Sequence, residues 1–289
     1  MRARRLGALV LATAVLAGCS EEPPADDSDR VVLSPADAGA GHTHSGPGAE
    51  TPPVGTGTAP EAGGYRLELV GALPEPGQPG DVSFRILDRS GRAVTTYVPE
   101  QTKDLHMYVV RSDLAQFRHL HPTMAPDGTW TGRVALPTPG SYRVIVEFLP
   151  AEDPDAGHVV LGDTALVPGT WTPEEVADAA SADDGVVAVE APETLAPGSD
   201  ERMTLTVSGA DGDRVALGSY LGTFAHLTGF HVGSGRFVHV HPYGAAEPAG
   251  EGDELTFHTE FTEPGRYRFF LQVRVDGFLH QVPFTATVS

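Results

Sequence analysis

The sequence predicts an all-β protein: two tandem antiparallel domains, each a sandwich or barrel, behind a disordered N-terminal tether. Three observations carry this. Short apolar-polar alternations such as YRLELV, DVSFRIL, YRVIVEFL, MTLTV and YRFFLQVRV recur from Tyr65 to the end, separated by turn residues, with no long stretch of helical period. The stretch LHMYVVRSDLAQFRHLHP from Leu105 to Pro122 returns from Ala225 to Pro242 as AHLTGFHVGSGRFVHVHP. In both copies a single His precedes a His-x-His-Pro by 13 residues, so His106, His119 and His121 correspond to His226, His239 and His241.

Met1 to Cys19 has an arginine-rich head, an apolar run from Leu6 to Leu16 and then Leu-Ala-Gly-Cys. The run is too short for a permanent bilayer span and reads as an export signal over residues 1–18. Leu16-Ala17-Gly18-Cys19 resembles a bacterial lipobox, which implies cleavage before Cys19 and a lipid on its thiol. The protein is then expected on the extracytoplasmic side of a cell membrane, held by that anchor. Residues 19–64 are rich in Pro, Gly, Ala, Thr, Asp and Glu and have little to bury, so they are expected to form the tether. Within them His42-Thr43-His44 is read as a polar stretch without consequence.

The first β domain is expected over residues 65–168 and the second over 186–289. Pro139-Gly140 followed by Ser141-Tyr142-Arg143 in the first is answered by Pro264-Gly265-Arg266-Tyr267-Arg268 in the second. Residues 169–185 are expected to be a linker with a short helix, Thr172 serving as N-cap, Pro173 in the first turn and Glu175 at the third position. Asp183-Asp184-Gly185 should stop it.

Cys19 is the only cysteine. The folded part therefore has no disulfide, no zinc-thiolate site, no thiol nucleophile and no Cys-ligated blue-copper centre. Removing residues 1–18 deletes three arginines and no acid, and takes the formal charge from −20 to −23. Such a surface repels nucleic acid, keeps the protein soluble and concentrates cations.

Each His constellation is expected on a β-hairpin. If Gly233-Ser234 is a two-residue loop, counting outward places His226 opposite His241, with His239 on the same face. The opposite pair would have Cβ atoms about 5 Å apart and the diagonal pair about 7 Å. The same count holds in the first copy with Asp113-Leu114 as the loop, although Leu is a poorer turn former. Three imidazoles on one face can meet one ion at about 2 Å, so metal binding through each hairpin is the leading expectation. A fourth candidate follows the Tyr-Arg strand in each copy, His158 in the first and His280 in the second, approaching from the next strand. The competing reading makes these histidines architectural, in a module that binds a protein or cell-wall partner. No set of catalytic groups can be placed, and the protein is not expected to be an enzyme.

From Tyr220-Leu221-Gly222 through His226 to Phe237-Val238-His239-Val240-His241-Pro242, the second copy resembles a family of actinobacterial secreted proteins and lipoproteins. The first copy is similar to the YtkA-like, heavy-metal-associated extracytoplasmic domains. The resemblance spans about Tyr65 to Ser289 and implies tandem immunoglobulin-like or cupredoxin-like sandwiches with a link to copper or another heavy metal. The function expected on these grounds is sequestration or relay of copper, or of zinc, by the two His clusters. A remote alternative is a copper enzyme: Phe237-Val238-His239-Val240-His241 also resembles the copper strand of copper-zinc superoxide dismutase, with His258 where a bridging ligand would be wanted. The remaining zinc ligands and the disulfide of that family are absent.

Overall fold

The computed structural model describes residues 52–154, 157–238, 240–249 and 252–289, and of residues 199–201, 241–249 and 252 the backbone alone. The alternating segments are strands throughout, with no helix among the described residues. The first repeat contains β1 (Glu61–Ala62), β2 (Tyr65–Val70), β3 (Pro79–Leu87), β4 (Tyr97–Val98), β5 (His106–Arg111), β6 (Phe117–Leu120), β7 (Thr123–Met124), β8 (Thr129–Ala135), β9 (Gly140–Pro150) and β10 (Val159–Val167). The second contains β11 (Ser181–Asp183), β12 (Val187–Glu190), β13 (Thr194–Leu195), β14 (Gly198–Gly209), β15 (Leu217–Gly218), β16 (Ala225–His231), β17 (Phe237–Val238), β18 (Val240–Ala249), β19 (Gly252–Phe261), β20 (Gly265–Val275) and β21 (Phe278–Val288).

Each repeat is a two-sheet sandwich. In the first, a sheet of order β1-β2-β3-β8-β7 is paired with β10-β9-β5-β6, β4 lying on β9; in the second, β11-β12-β14-β19-β18 is paired with β13-β21-β20-β16-β17, β15 lying on β20. Apart from β13, which the second copy adds at the edge of β21, the connectivity is the same in both, so the repeat seen in the sequence is a repeat of topology. Inward residues fill one core per sandwich, around Phe84, Trp130 and Val146 in the first and Phe257, Phe269 and Phe284 in the second. The two Pro-Gly-x-Tyr motifs build the same corner. Tyr142 donates its hydroxyl to the Thr138 carbonyl (2.9 Å) and Tyr267 to that of Glu263 (2.6 Å), the tyrosine corner of immunoglobulin-like sandwiches.

A third apolar cluster joins the sandwiches. It is formed by the outer faces of β5, β6 and β9 on one side and β16, β17 and β20 on the other, through Tyr108, Phe117, Ile145, Phe230, Phe237 and Phe270. Phe117 stacks on Phe270 with ring centroids 4.3 Å apart. Each sandwich thus offers the same face to the other. That face is the one that carries the histidines, because Tyr108 and His106, or Phe117 and His119, differ by two residues and share a side of the sheet.

The hairpin registers are those counted from the sequence: Met107 lies opposite Leu120, Tyr108 opposite His119, Gly229 opposite Val238 and Phe230 opposite Phe237. The loops are wider than two residues. Bonds from Arg111 N–H to the Gln116 carbonyl and from His231 N–H to the Arg236 carbonyl, both 2.9 Å, enclose four-residue loops. One residue added on each side leaves the register unchanged. Leu114 takes the left-handed conformation there (φ 61°), and its side chain is buried in the cluster between the sandwiches, which offsets the strain.

Three expectations are corrected. The helix in the linker does not form: residues 172–179 make no regular element, and several of their backbone groups are taken by the two sandwiches. Glu174 N–H donates to Asp113 Oδ2 (2.9 Å), Arg266 donates to the Val176 carbonyl (2.5 Å), and Thr285 donates to the carbonyls of Ala177 and Ala179. Tertiary partners win over the capping signal. The tether does not run unstructured to Gly64 either, because Val54 pairs with Val159 and Gly162 N–H donates to the Ala59 carbonyl (2.9 Å). A Cβ at Gly162 would meet the Gly57 carbonyl oxygen at 1.9 Å, so the contact requires a residue without a side chain at that position. Finally, His226 does not lie across a ladder from His241. β17 ends at Val238, and the chain then joins the opposite sheet, where His241 faces His258, while His226 stays in the first sheet and faces Gln272 on β20. The first copy makes the same change of sheet after Leu120, with Thr123 opposite Thr131. Pro122 and Pro242 sit at these crossings, where an N–H for the old ladder is not required.

Candidate metal centre

His106 begins β5 on the face between the sandwiches. The segment before it folds back in a tight turn, Glu100 bridging Lys103, with Gln101 and Thr102 at positive φ (46° and 69°). That turn presents the Glu100 carbonyl to His106 Nε2 at 3.1 Å. The second copy repeats the device. Tyr220 bridges Thr223 over Leu221 and Gly222, also at positive φ, and the Tyr220 carbonyl meets His226 Nε2 at 3.0 Å. A carbonyl only accepts, so in both histidines Nε2 carries the proton and, in the neutral ring, Nδ1 is unprotonated.

His119 Nε2 lies 3.0 Å from His106 Nδ1. Its other nitrogen meets Gln272 Oε1 of the second sandwich at 2.8 Å. The orientation of that amide is fixed by a chain that starts at a carbonyl. Phe117 O accepts from Gln281 Nε2 (3.5 Å), which turns Gln281 Oε1 towards Gln272 Nε2 (3.4 Å), and this in turn leaves Gln272 Oε1 to accept from His119 Nδ1–H. His119 is then protonated at Nδ1 and bare at Nε2. In these tautomers the facing nitrogens, His106 Nδ1 and His119 Nε2, are the ones able to serve as metal ligands.

His121 completes the group. It follows the end of β6, where the chain turns towards the other sheet, and its ring centroid lies 4.7 Å from that of His119 and 5.1 Å from that of His106. Its Nε2 is buried and has no hydrogen-bond partner among the described residues. One nitrogen from each of His106, His119 and His121 lies within 4.8 Å of the others, so this group can hold a metal ion. A proton is a poor substitute for the ion. Burial, then the neighbouring imidazole of His106, pulls His121 down to about 3, and burial with the charges of His106, His121 and His226 holds His119 well below the usual range. Burial likewise brings His226 down to about 4.

The remaining expected ligands are distributed otherwise. His158 is buried on the wall of the same cleft, with Nδ1 3.6 Å from Glu147 and Nε2 3.9 Å from Glu100. Burial opposes its charge, but the two carboxylates outweigh it and raise its pKa. His280 does not approach His226; its Nδ1 pairs with Asp184 at 2.8 Å. On the ladders His280 stands opposite Val273, the place that Val159 holds opposite Phe148 in the first copy. It is therefore one residue out of step with His158, and in a strand one residue reverses the face. His239 and Cys19 lie outside the described residues, and of His241 only the backbone is placed, in the second sandwich's other sheet with His258.

Four residues that the motif gave no reason to choose shape the site. Gln272 orients His119, the Glu100 carbonyl orients His106, Tyr108 stacks on His119 (4.6 Å), and the buried Glu147 accepts from the Tyr108 hydroxyl (3.0 Å). The repeat itself held a signal for two of them. Glu147 faces His106 and Gln272 faces His226 across equivalent rungs, so aligning the two Tyr-Arg strands would have pointed to both.

Comparison with known proteins places the chain in a family. Residues 58–161 and 180–289 each match a domain of unknown function, DUF8832, and the chain belongs to that family. No curated protein matches the sequence. Among solved structures it is similar to FdeC, an Escherichia coli adhesin, at 19% identity over 82% of this chain, with a TM-score of 0.23; it spans 65% of that chain's length. It is similar to the titin tandem immunoglobulin domains A164-A165 at 14% identity over 78% of this chain and 96% of that one, TM-score 0.21. InvD of Yersinia pseudotuberculosis matches at 14% identity over 77% of this chain and 58% of that one, TM-score 0.25.

Proposed function

We propose that this is a metal-binding protein of the extracytoplasmic surface, held to the membrane through Cys19, which sequesters or relays Cu(II), with Zn(II) as the second candidate, at His106, His119 and His121. The observation that carries this reading is the convergence of one imidazole nitrogen from each of His106, His119 and His121 within 4.8 Å of one another in a buried setting. Imidazole nitrogen suits copper and zinc, whereas magnesium and calcium prefer oxygen. The similarity of the first copy to the heavy-metal-associated domains agrees with it, as does the acidic surface, which draws cations towards the site. The role is binding, with no catalytic step assigned.

The number of sites differs from the count made on the sequence alone. The second copy is proposed here to contribute to the edge of the first site through His226 and Gln272, which line or orient it. Metal analysis and calorimetric titration of the untagged chain from residue 52 to residue 289 test this. One Cu(II) per chain is expected, lost in His106→Gln with His121→Gln. Absence of binding to the unaltered chain would leave the histidines architectural.

A further inference from the structure

The ring of His226 lies 5.8 Å from that of His119, on the wall of the cleft that His106 and His119 also line, yet it belongs to the other sandwich. Its backbone is opposite Gln272, the residue that orients His119. One rung of the second sandwich therefore presents both a ligand-positioning amide and an imidazole to the ligands of the first. His226 is buried, and among the described residues its Nε2 alone is engaged, by the Tyr220 carbonyl and the Thr223 hydroxyl. Its Nδ1 is left without a proton, in the same tautomer as His106. The triad supplies three nitrogens, and a closed tetrahedral shell needs a fourth donor.

We infer that His226 is that donor: its Nδ1 closes the shell of an ion held by His106, His119 and His121, and the ion clamps the two sandwiches together. This rests on the metal-binding reading above. His226 stands outside the set of nitrogens that already converge, so binding draws the two faces together by a small side-chain movement across the Tyr108–Phe237 contact. The clamp makes the linkage between the domains depend on metal. Such a protein reports or stores an ion by changing how firmly its halves adhere.

The test uses the chain from residue 52 onward with Co(II) and Cu(II) as probes. The unaltered chain should bind one ion with the intense visible bands of tetrahedral Co(II), and X-ray absorption of the Cu(II) form should count four imidazoles. His226→Gln should keep the stoichiometry but weaken binding at least about tenfold, the lower bound for loss of even an outer-shell partner, and shift the Co(II) spectrum. If His226→Gln leaves affinity and spectrum unchanged while His106→Gln abolishes binding, the ion is held by one sandwich and the clamp is wrong. Two ions per chain, one lost with each substitution, would also overturn it in favour of separate sites. No binding to the unaltered chain removes the parent reading instead. Should His226→Gln fail to fold, the imidazole count on the unaltered chain decides, three excluding the clamp.

Discussion

The two hairpins have the same topology, the same turn before the leading histidine and the same register, but they carry different residues on the face between the sandwiches. In the first, three imidazoles converge beneath a tyrosine, and Glu147 stands opposite His106. In the second, Thr228 replaces the tyrosine and neutral Gln272 replaces the glutamate. A carboxylate at 272 would accept from His119 as the amide does, but it would also favour the imidazolium and so compete with a metal. The neutral amide orients the ligand without recruiting a proton. On the binding proposed above, the first copy supplies the ligands and the second supplies the residue that orients one of them.

The largest effect expected from breaking this comparison is at the face where the copies meet. Phe117→Ala removes a fully buried ring stacked on Phe270 and should cost about 3–5 kcal/mol of unfolding free energy, read by urea titration. A much smaller loss would mean that the two faces are not packed in solution. Next, Gln272→Ala should lower metal affinity by about 10- to 100-fold with little change in fold, since it frees His119 to turn or change tautomer. Unaltered affinity would show that the second sandwich does not set the tautomer.

Acidification should distinguish the copies more gently. An unfolded chain protonates its histidines near pH 6.5, whereas His226 folds with a pKa near 4 and His121 near 3. Between those limits the unfolded state binds more protons, so these residues make the metal-free protein less stable as pH falls from about 6.5 towards 4. His158 acts in the opposite sense: its raised pKa contributes stability below the unfolded value that is lost as pH rises through the folded one. Thermal unfolding at pH 7 and pH 5 in chelator should show net destabilisation at the lower pH, and replacing His158 by Gln should enlarge it. The smallest effect is local. Gly162 stands opposite Ile145 where Pro283 stands opposite Phe270 in the other copy. Gly162→Ala should release residues 52–59 from the edge of β10, seen as faster proteolysis there with the His site intact.

Much of this was legible in the residues. Alternation and turns gave the sandwiches, and the repeated His spacing gave the hairpins, their register and the face that carries the triad. What escaped was non-local. Nothing near Leu120 or Val238 says that the strand will change sheets, a step decided by the partner strands β8 and β19, and that step dissolved the expected pairing of His226 with His241. Gln272 is a neutral residue in an apolar strand and belongs to no metal motif; its importance comes only from facing another domain. His158 and His280 looked equivalent by position after the Tyr-Arg strand, yet one residue of offset sends them to different faces. The capping signal at Thr172 was real as local chemistry and was outcompeted by Arg111, Asp113, Arg266 and Thr285.

The like faces of the two sandwiches have one more consequence. When identical subunits meet through one surface, every substitution is received twice, and a change that improves one half of a shared site is imposed on the other. Joined in a single polypeptide, the halves mutate separately. Glu147 and Gln272 differ by one functional group at the same rung, a divergence that a homodimer with this interface would have no means of encoding.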